Sequence, residues 1–218
     1  ICLQILRRRG VKISAHILKI GDIYDTPYDP MLGAADCCPD FPCVSPDAAQ
    51  KMQSAIRAAA ASGDSLGAVI ECAASGVPAG LGGALFDGLE GRIASIVFAV
   101  PAVKGIEFGA GFGVSELRGS ENNDAYIIKD GCISLATNNA GGILGGISDG
   151  MPLIFRAAVK PTPSIAKTQR SVSLSEMTER ELSVSGRHDP CIAPRAVPVI
   201  EAAAAIALLD AVLEDSDE

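Results

Sequence analysis

The chain has 218 residues, 48% of them hydrophobic and 4% aromatic, with no Trp and a formal net charge of −8 at pH 7. So much apolar chain excludes a disordered polymer and is enough for one large domain, residues 1–218, with an aliphatic, Ala-rich core. The acidic balance excludes a general nucleic-acid binder, which needs a basic face against phosphates, but not a small anion held by a few local cations. No stretch is both long enough to cross a bilayer and free of charges and prolines, so a membrane is not expected as a partner either.

Taken in order, Cys2 to Gly10 reads as the last turns of a helix, with Arg7, Arg8 and Arg9 near its negative end and Gly10 as the stop. A chain that opens on the end of a helix reads as lacking sequence in front of it. Val11 to Ile23 alternates loosely as a strand, with His16 as a satisfied core or edge histidine, and residues 24–45 form an irregular connection. Ser45 then caps a helix with Pro46 at its first position, Met52, Ile56 and Ala59 on one face and Gly63 as its stop. Gly67 to Ala74 is a strand, and Gly76 to Gly83 a glycine-rich loop. Phe86, Leu89, Ile93, Ile96 and Val97 follow helical spacing.

Val103 to Phe108 and Phe112 to Leu117 read as short strands joined by a glycine turn. Residues 118–150 are dense in Gly, Asn and Ser, which lets backbone approach backbone or a ligand closely. Pro152 to Val159 alternates as a strand, residues 167–185 form a hairpin, and Ala196 to Leu213 is an amphipathic, Ala-rich helix ahead of a solvated acidic tail. The seven cysteines include no CxxC pair, and the histidines are only His16 and His188, so no metal site is expected. Free thiols in a reducing cytoplasm fit that pattern.

Three constellations could carry chemistry. Lys160-Pro161-Thr162-Pro163-Ser164 offers an ammonium and two hydroxyls on a backbone stiffened by prolines, the converging donors that a phosphate or a flavin phosphate needs. A plain Pro-rich turn remains the structural alternative. Gly145-Gly146 leaves room for a flat ring, or is simply structural. The glycines match neither a Walker loop nor a Rossmann fingerprint. In Gly186-Arg187-His188-Asp189-Pro190-Cys191, an extended backbone puts Arg187 and Asp189 on one side, Arg suited to a carboxylate or phosphate and Asp to a proton. A surface salt bridge is the alternative there.

In order, Gly76-Val77-Pro78-Ala79-Gly80-Leu81-Gly82, Pro101 to Gly109, Gly119-Ser120-Glu121, Asn139 to Ser148, Lys160 to Ile165 and Arg187 to Cys191 resemble the blocks of the chorismate synthase family. The resemblance implies an α+β fold with helices sandwiched between antiparallel β-sheets, usually a homotetramer. It implies a lyase that converts 5-enolpyruvylshikimate-3-phosphate to chorismate by 1,4-anti elimination of phosphate. Reduced FMN (FMNH2) is the implied cofactor, lending an electron and recovering it. Some members reduce flavin themselves and others rely on an external source.

By motif position, FMN contacts fall on Pro101, Ala102, Gly145, Lys160, Pro161, Thr162, Pro163, Ser164 and Arg187. Arg187 would also face the substrate, and Asp189 would help move the ring proton. The family's Gly-x-Ser-His-Gly and Gly-Arg-x-Ser-Ala-Arg motifs do not occur in this sequence, and His16 lies outside any such motif. The resemblance therefore implies an enzyme of which this chain alone is inactive. The alternative is a non-catalytic module that binds flavin weakly or joins oligomers.

Overall fold

A computed structural model describes residues 1–186 and 188–215. Helix α1 (Cys2–Arg8) leads into β1 (Lys12–Ile20), which turns through Gly21-Asp22 into β2 (Ile23–Tyr24). The single strand expected over Val11–Ile23 is therefore a short hairpin, because Gly-Asp is turn chemistry. Helix α2 (Pro46–Ala61) starts where the Ser45 hydroxyl accepts the Ala48 N–H at 3.4 Å, with Pro46 in the first turn as expected. Then come β3 (Ala68–Ser75), α3 (Leu89–Phe98), β4 (Val103–Phe108) and the four-residue α4 (Gly119–Asn122). Hairpins β5 (Tyr126–Lys129) with β6 (Cys132–Leu135) and β7 (Ile143–Leu144) with β8 (Ile147–Ser148) precede β9 (Leu153–Val159). The expected hairpin over 167–185 is β10 (Gln169–Ser173) paired with β11 (Thr178–Leu182), and α5 (Ala193–Asp215) closes the chain.

Five strands form an antiparallel sheet in the order β2-β1-β3-β9-β4. Strand alternation gives it two unlike faces. Ala15, Ile17, Ile70, Cys72, Phe155 and Ala157 belong to the main core, together with α5. α5 lies on β1 and β3, with α1 and α3 against it. The expected α+β architecture is present, and among the described residues its helices pack on one large sheet while the other ribbons are two-stranded.

Three elements depart from the periodicity reading. Phe112–Leu117 is not a strand: Gly111–Glu116 is a 3₁₀ turn, begun by the Glu107 carboxylate accepting the Phe112 N–H at 3.2 Å. Phe86 shares the spacing of Leu89, Ile93 and Val97 but is 96% exposed, since a short 3₁₀ turn at Leu85–Asp87 carries it outside α3. Helix α5 begins at Ala193, ahead of the expected Ala196, because Pro194 is tolerated in a first turn. It is also apolar nearly all round rather than amphipathic, as a helix with neighbours on several sides must be. By length and composition α5 is the one helix among the described residues that could cross a membrane, yet 61% of its most apolar window is buried in the protein.

Glu201 interrupts that apolar helix. Strand β2 covers only Lys19 and Ile20 of β1, leaving the rest of that edge unpaired. The Glu201 carboxylate accepts the Ala15 N–H at 2.8 Å, and the Pro42 carbonyl accepts the Ile17 N–H at 2.7 Å, so side chain and loop close the edge. Burial raises the Glu201 carboxyl above the usual range, against the Ala15 N–H, which lowers it. A raised carboxyl favours the protonated folded state, so its contribution is full below about pH 4.3, the unfolded value, and is lost as pH rises through the folded one. Glu201→Gln keeps an acceptor for Ala15 without the buried charge. Urea unfolding should show the variant more stable than the parent at pH 7, with the gain gone near pH 4.

Candidate functional site

The register of three strands gathers the predicted motifs at one end of the sheet. Ala68 at the start of β3 and Val103 at the start of β4 both pair with Val159 at the end of β9. The chain therefore leaves β9 as Lys160 to Ser164 between the segments that enter β3 and β4. The Lys160 N–H donates to the Ala102 carbonyl at 2.9 Å. Ala102 holds φ +76°, a left-handed conformation that costs a non-glycine residue about 1–3 kcal/mol and that marks functional sites. Pro101 precedes it directly.

From the other side, the Ser65 hydroxyl donates to the Thr162 carbonyl at 2.7 Å, and the Leu66 N–H to the Pro190 carbonyl at 2.7 Å. Gly67 keeps this approach close: a Cβ at this position would lie a tight 3.1 Å from both the Pro161 ring and the Val159 carbonyl. A cavity of about 140 Å³ opens between these segments, lined by Gly63, Asp64, Ser164, Ala166, His188 and Asp189.

Charge at this end is partly spoken for. The Asp64 carboxylate pairs with Lys167 at 3.0 Å, and the Ser65 N–H and Lys167 ammonium together lower its carboxyl below the usual range. Asp189 pairs with Arg195 in the first turn of α5. Lys160 has no ion pair among the described residues, and the Thr162 hydroxyl is buried without a partner. Arg187 lies outside the described residues, so its pairing with Asp189 does too. His188 is exposed, its Nε2 turned back toward Gly186.

Gly145 is not brought to this cradle. Its hairpin packs beside Gly82 and Gly88, at the end where β3 stops and β9 begins. Seven residues of β9 separate the two places, roughly 20 Å at about 3.3 Å per residue. The two glycines differ: a Cβ on Gly146 would meet the Gly83 carbonyl at 2.3 Å, whereas Gly145 faces open space. Gly146 is fixed by that contact, and Gly145 by its own left-handed backbone at φ +60°.

The sheet's other face holds a polar row that periodicity did not show. His16, Glu71, Arg156 and Glu107 are register partners across β1, β3, β9 and β4. His16 is fully buried, with Nδ1 3.0 Å from Asp25 and Nε2 3.0 Å from Glu71. Asp25 also accepts the N–H groups of Val44 and Ser45, and Glu71 that of Tyr28, so the pair of carboxylates pins the irregular 25–45 segment to the sheet. This is the satisfied core histidine that was expected. The signal for Glu71 was its place as the one charge in the apolar strand Ala68–Ser75. The Arg156 Nε lies 2.9 Å from Glu107, and a cavity of about 250 Å³ lies over Tyr28, Glu71, Asn138 and Arg156. A larger hollow of about 460 Å³, lined by Glu107, Phe112 and Asn122 among others, is also apart from the cradle.

The antiparallel sheet with its helix layer is the architecture of a known enzyme class. A crystal structure of chorismate synthase superposes with a TM-score of 0.78 at 28% identity, over 98% of this chain and 60% of that one. The model of the chorismate synthase family matches residues 1–213, and the chain belongs to that family. Chorismate synthase of Dehalococcoides mccartyi is 55% identical over 176 residues, 81% of this chain and 47% of that protein. The protein of that name from Archaeoglobus fulgidus is 59% identical over 69% of this chain and 42% of its own length. That from Lancefieldella parvula is 45% identical over 96% and 59%. The chain thus spans about half the length of the curated relatives it matches.

Two substitutions check this geometry. His16→Ala strands two buried carboxylates, and chemical denaturation should show a loss of about 3–5 kcal/mol. Ala102→Gly removes the left-handed strain and should raise stability by up to about 1 kcal/mol in the same assay.

Proposed function

We propose that the chain serves chorismate synthase catalysis, the elimination of phosphate from 5-enolpyruvylshikimate-3-phosphate to give chorismate with the help of reduced FMN. The observation that carries this reading is the convergence of Pro101-Ala102, Lys160–Ser164 and Asp189 at one sheet end, where, among the described residues, Lys160 has no ion pair and the buried Thr162 hydroxyl no partner. An ammonium and a hydroxyl are the donors that a phosphate takes, so the chemistry of the segment fits the anionic end of the flavin. Reduced flavin, when bound, supplies the transient electron that eases departure of the substrate phosphate.

The chain's own residues have three tasks. Lys160, Thr162 and Ser164 bind the flavin phosphate, and the prolines between them keep the donors ordered beforehand. Asp189, oriented by Arg195, stands at the cavity to take up the proton lost from the substrate ring. By its motif position Arg187 is the residue we assign to the substrate's anionic groups, where a cation would offset the repulsion between two anions in one site. The cradle cavity, about 140 Å³, is below the roughly 300–1,000 Å³ of a complete small-molecule site, so the chain builds only part of the pocket.

The homotetramer gains support from Gly145. Gly145 and Lys160 lie toward opposite ends of β9 in one chain, roughly 20 Å along the strand, so a flavin that touches both motifs would draw on the hairpin of a second copy. The seven thiols carry no disulfide in the structure, which favours the reducing cytoplasm as its compartment.

The test uses the 218-residue chain itself. Flavin titration should give weak binding that favours FMN over riboflavin by about tenfold, with the preference lost in Lys160→Met. The same chain, given reduced FMN and 5-enolpyruvylshikimate-3-phosphate, should form no chorismate by absorbance. Equal binding of the two flavins sinks the cradle assignment, and steady turnover sinks the view that this chain is only part of the site.

A further inference from the structure

The segment Gly63–Gly67 has no role in the function derived above, yet it holds the cradle from beneath. Ser65 donates its hydroxyl to the Thr162 carbonyl at 2.7 Å, its own N–H being taken by Asp64 at 2.9 Å. Asp64 reaches across to Lys167, and the Gly63 carbonyl accepts the Lys167 N–H at 3.1 Å. The Leu66 N–H holds Pro190, one residue beyond Asp189. Segments 160–167 and 188–190 are thus tied to one short piece of backbone between α2 and β3. Within the first of them, the Thr162 hydroxyl is buried with no partner among the described residues.

We propose that Ser65 is a positioning residue of the anion cradle: by fixing the Thr162 carbonyl, it leaves the Thr162 hydroxyl available to a phosphate monoester oxygen. The inference rests on the flavin-phosphate reading of Lys160–Ser164. A threonine side chain has one hydroxyl and its peptide one carbonyl. With the carbonyl held by Ser65, the peptide plane is set before any ligand arrives, and binding does not have to order it. Asp64 and Lys167 do the same for the downstream end, and since they neutralise each other they leave the anion to Lys160.

Ser65→Ala removes the donor, and Ser65→Thr keeps it. The readouts are the FMN and riboflavin affinities of the whole chain, with a melting curve for each variant. Ser65→Ala should lose most of the roughly tenfold preference for FMN and leave riboflavin binding unchanged, and Ser65→Thr should restore the preference. The inference is overturned if Ser65→Ala keeps the preference. It is equally overturned if both flavins weaken together, which marks a general structural role, or if Ser65→Thr behaves like Ser65→Ala. If the unsubstituted chain shows no preference for FMN, the cradle reading itself fails and this inference falls with it.

Discussion

The pairing of β3 with β9 is the constraint on which the site depends. With Ala68 opposite Val159, the entry to β3 and the exit from β9 lie side by side, and β4 enters on the far side of the same residue. A slip of one residue would turn every side chain of β9 to the other face. Phe155 would leave the core for the polar face, and Arg156 would enter the apolar layer beneath α5. The burial of Phe155, which is complete, therefore guards a register whose consequence is felt at Lys160. Stability and site geometry are set by one alignment.

Charge is handled in the same economical way on both faces. Beneath α5 the core is aliphatic, and Glu201 enters it only to close the open edge of β1. On the other face, charged groups are admitted in partnered form: Asp25 and Glu71 around His16, and Glu107 beside Arg156. A buried carboxylate without a partner is costly, so this row is a set of joints holding the irregular 25–45 segment, rather than a reserve of loose charge. At the sheet end the order is reversed. There the carboxylates of Asp64 and Asp189 are paired off, and among the described residues a lysine and a hydroxyl are left over. Leaving donors unmatched costs stability, and that cost is reasonable only where an anion arrives to match them.

Much of the fold was legible in order of sequence because its signals are local. Ser45-Pro46 marks a helix start, Gly63 an end, and the apolar alternation of Leu153–Val159 a strand, each from chemistry within a few residues. The misreadings came where a group outside the segment's own pattern decided. Phe112–Leu117 alternates like a strand but is wound into a 3₁₀ turn begun by the Glu107 side chain. α5 read as amphipathic, yet it is apolar nearly all round because the sheet, α1 and α3 pack against it. Ser65 and Asp64 bore no motif at all, since their partners are Thr162 and Lys167, about a hundred residues away.

The sequence by itself determined the family, the chemical types at the cradle and the class of fold, because ordered motifs and hydrophobic periods are properties of the linear chain. Only the tertiary structure decided which motifs meet. It joined Ala102 to Lys160 and set Asp189 beside Ser164, and it sent Gly145 to the opposite end of the sheet. The reason is that proximity across antiparallel strands follows from register and loop path, which depend on the burial of the whole sheet against α5 and are written in no single segment.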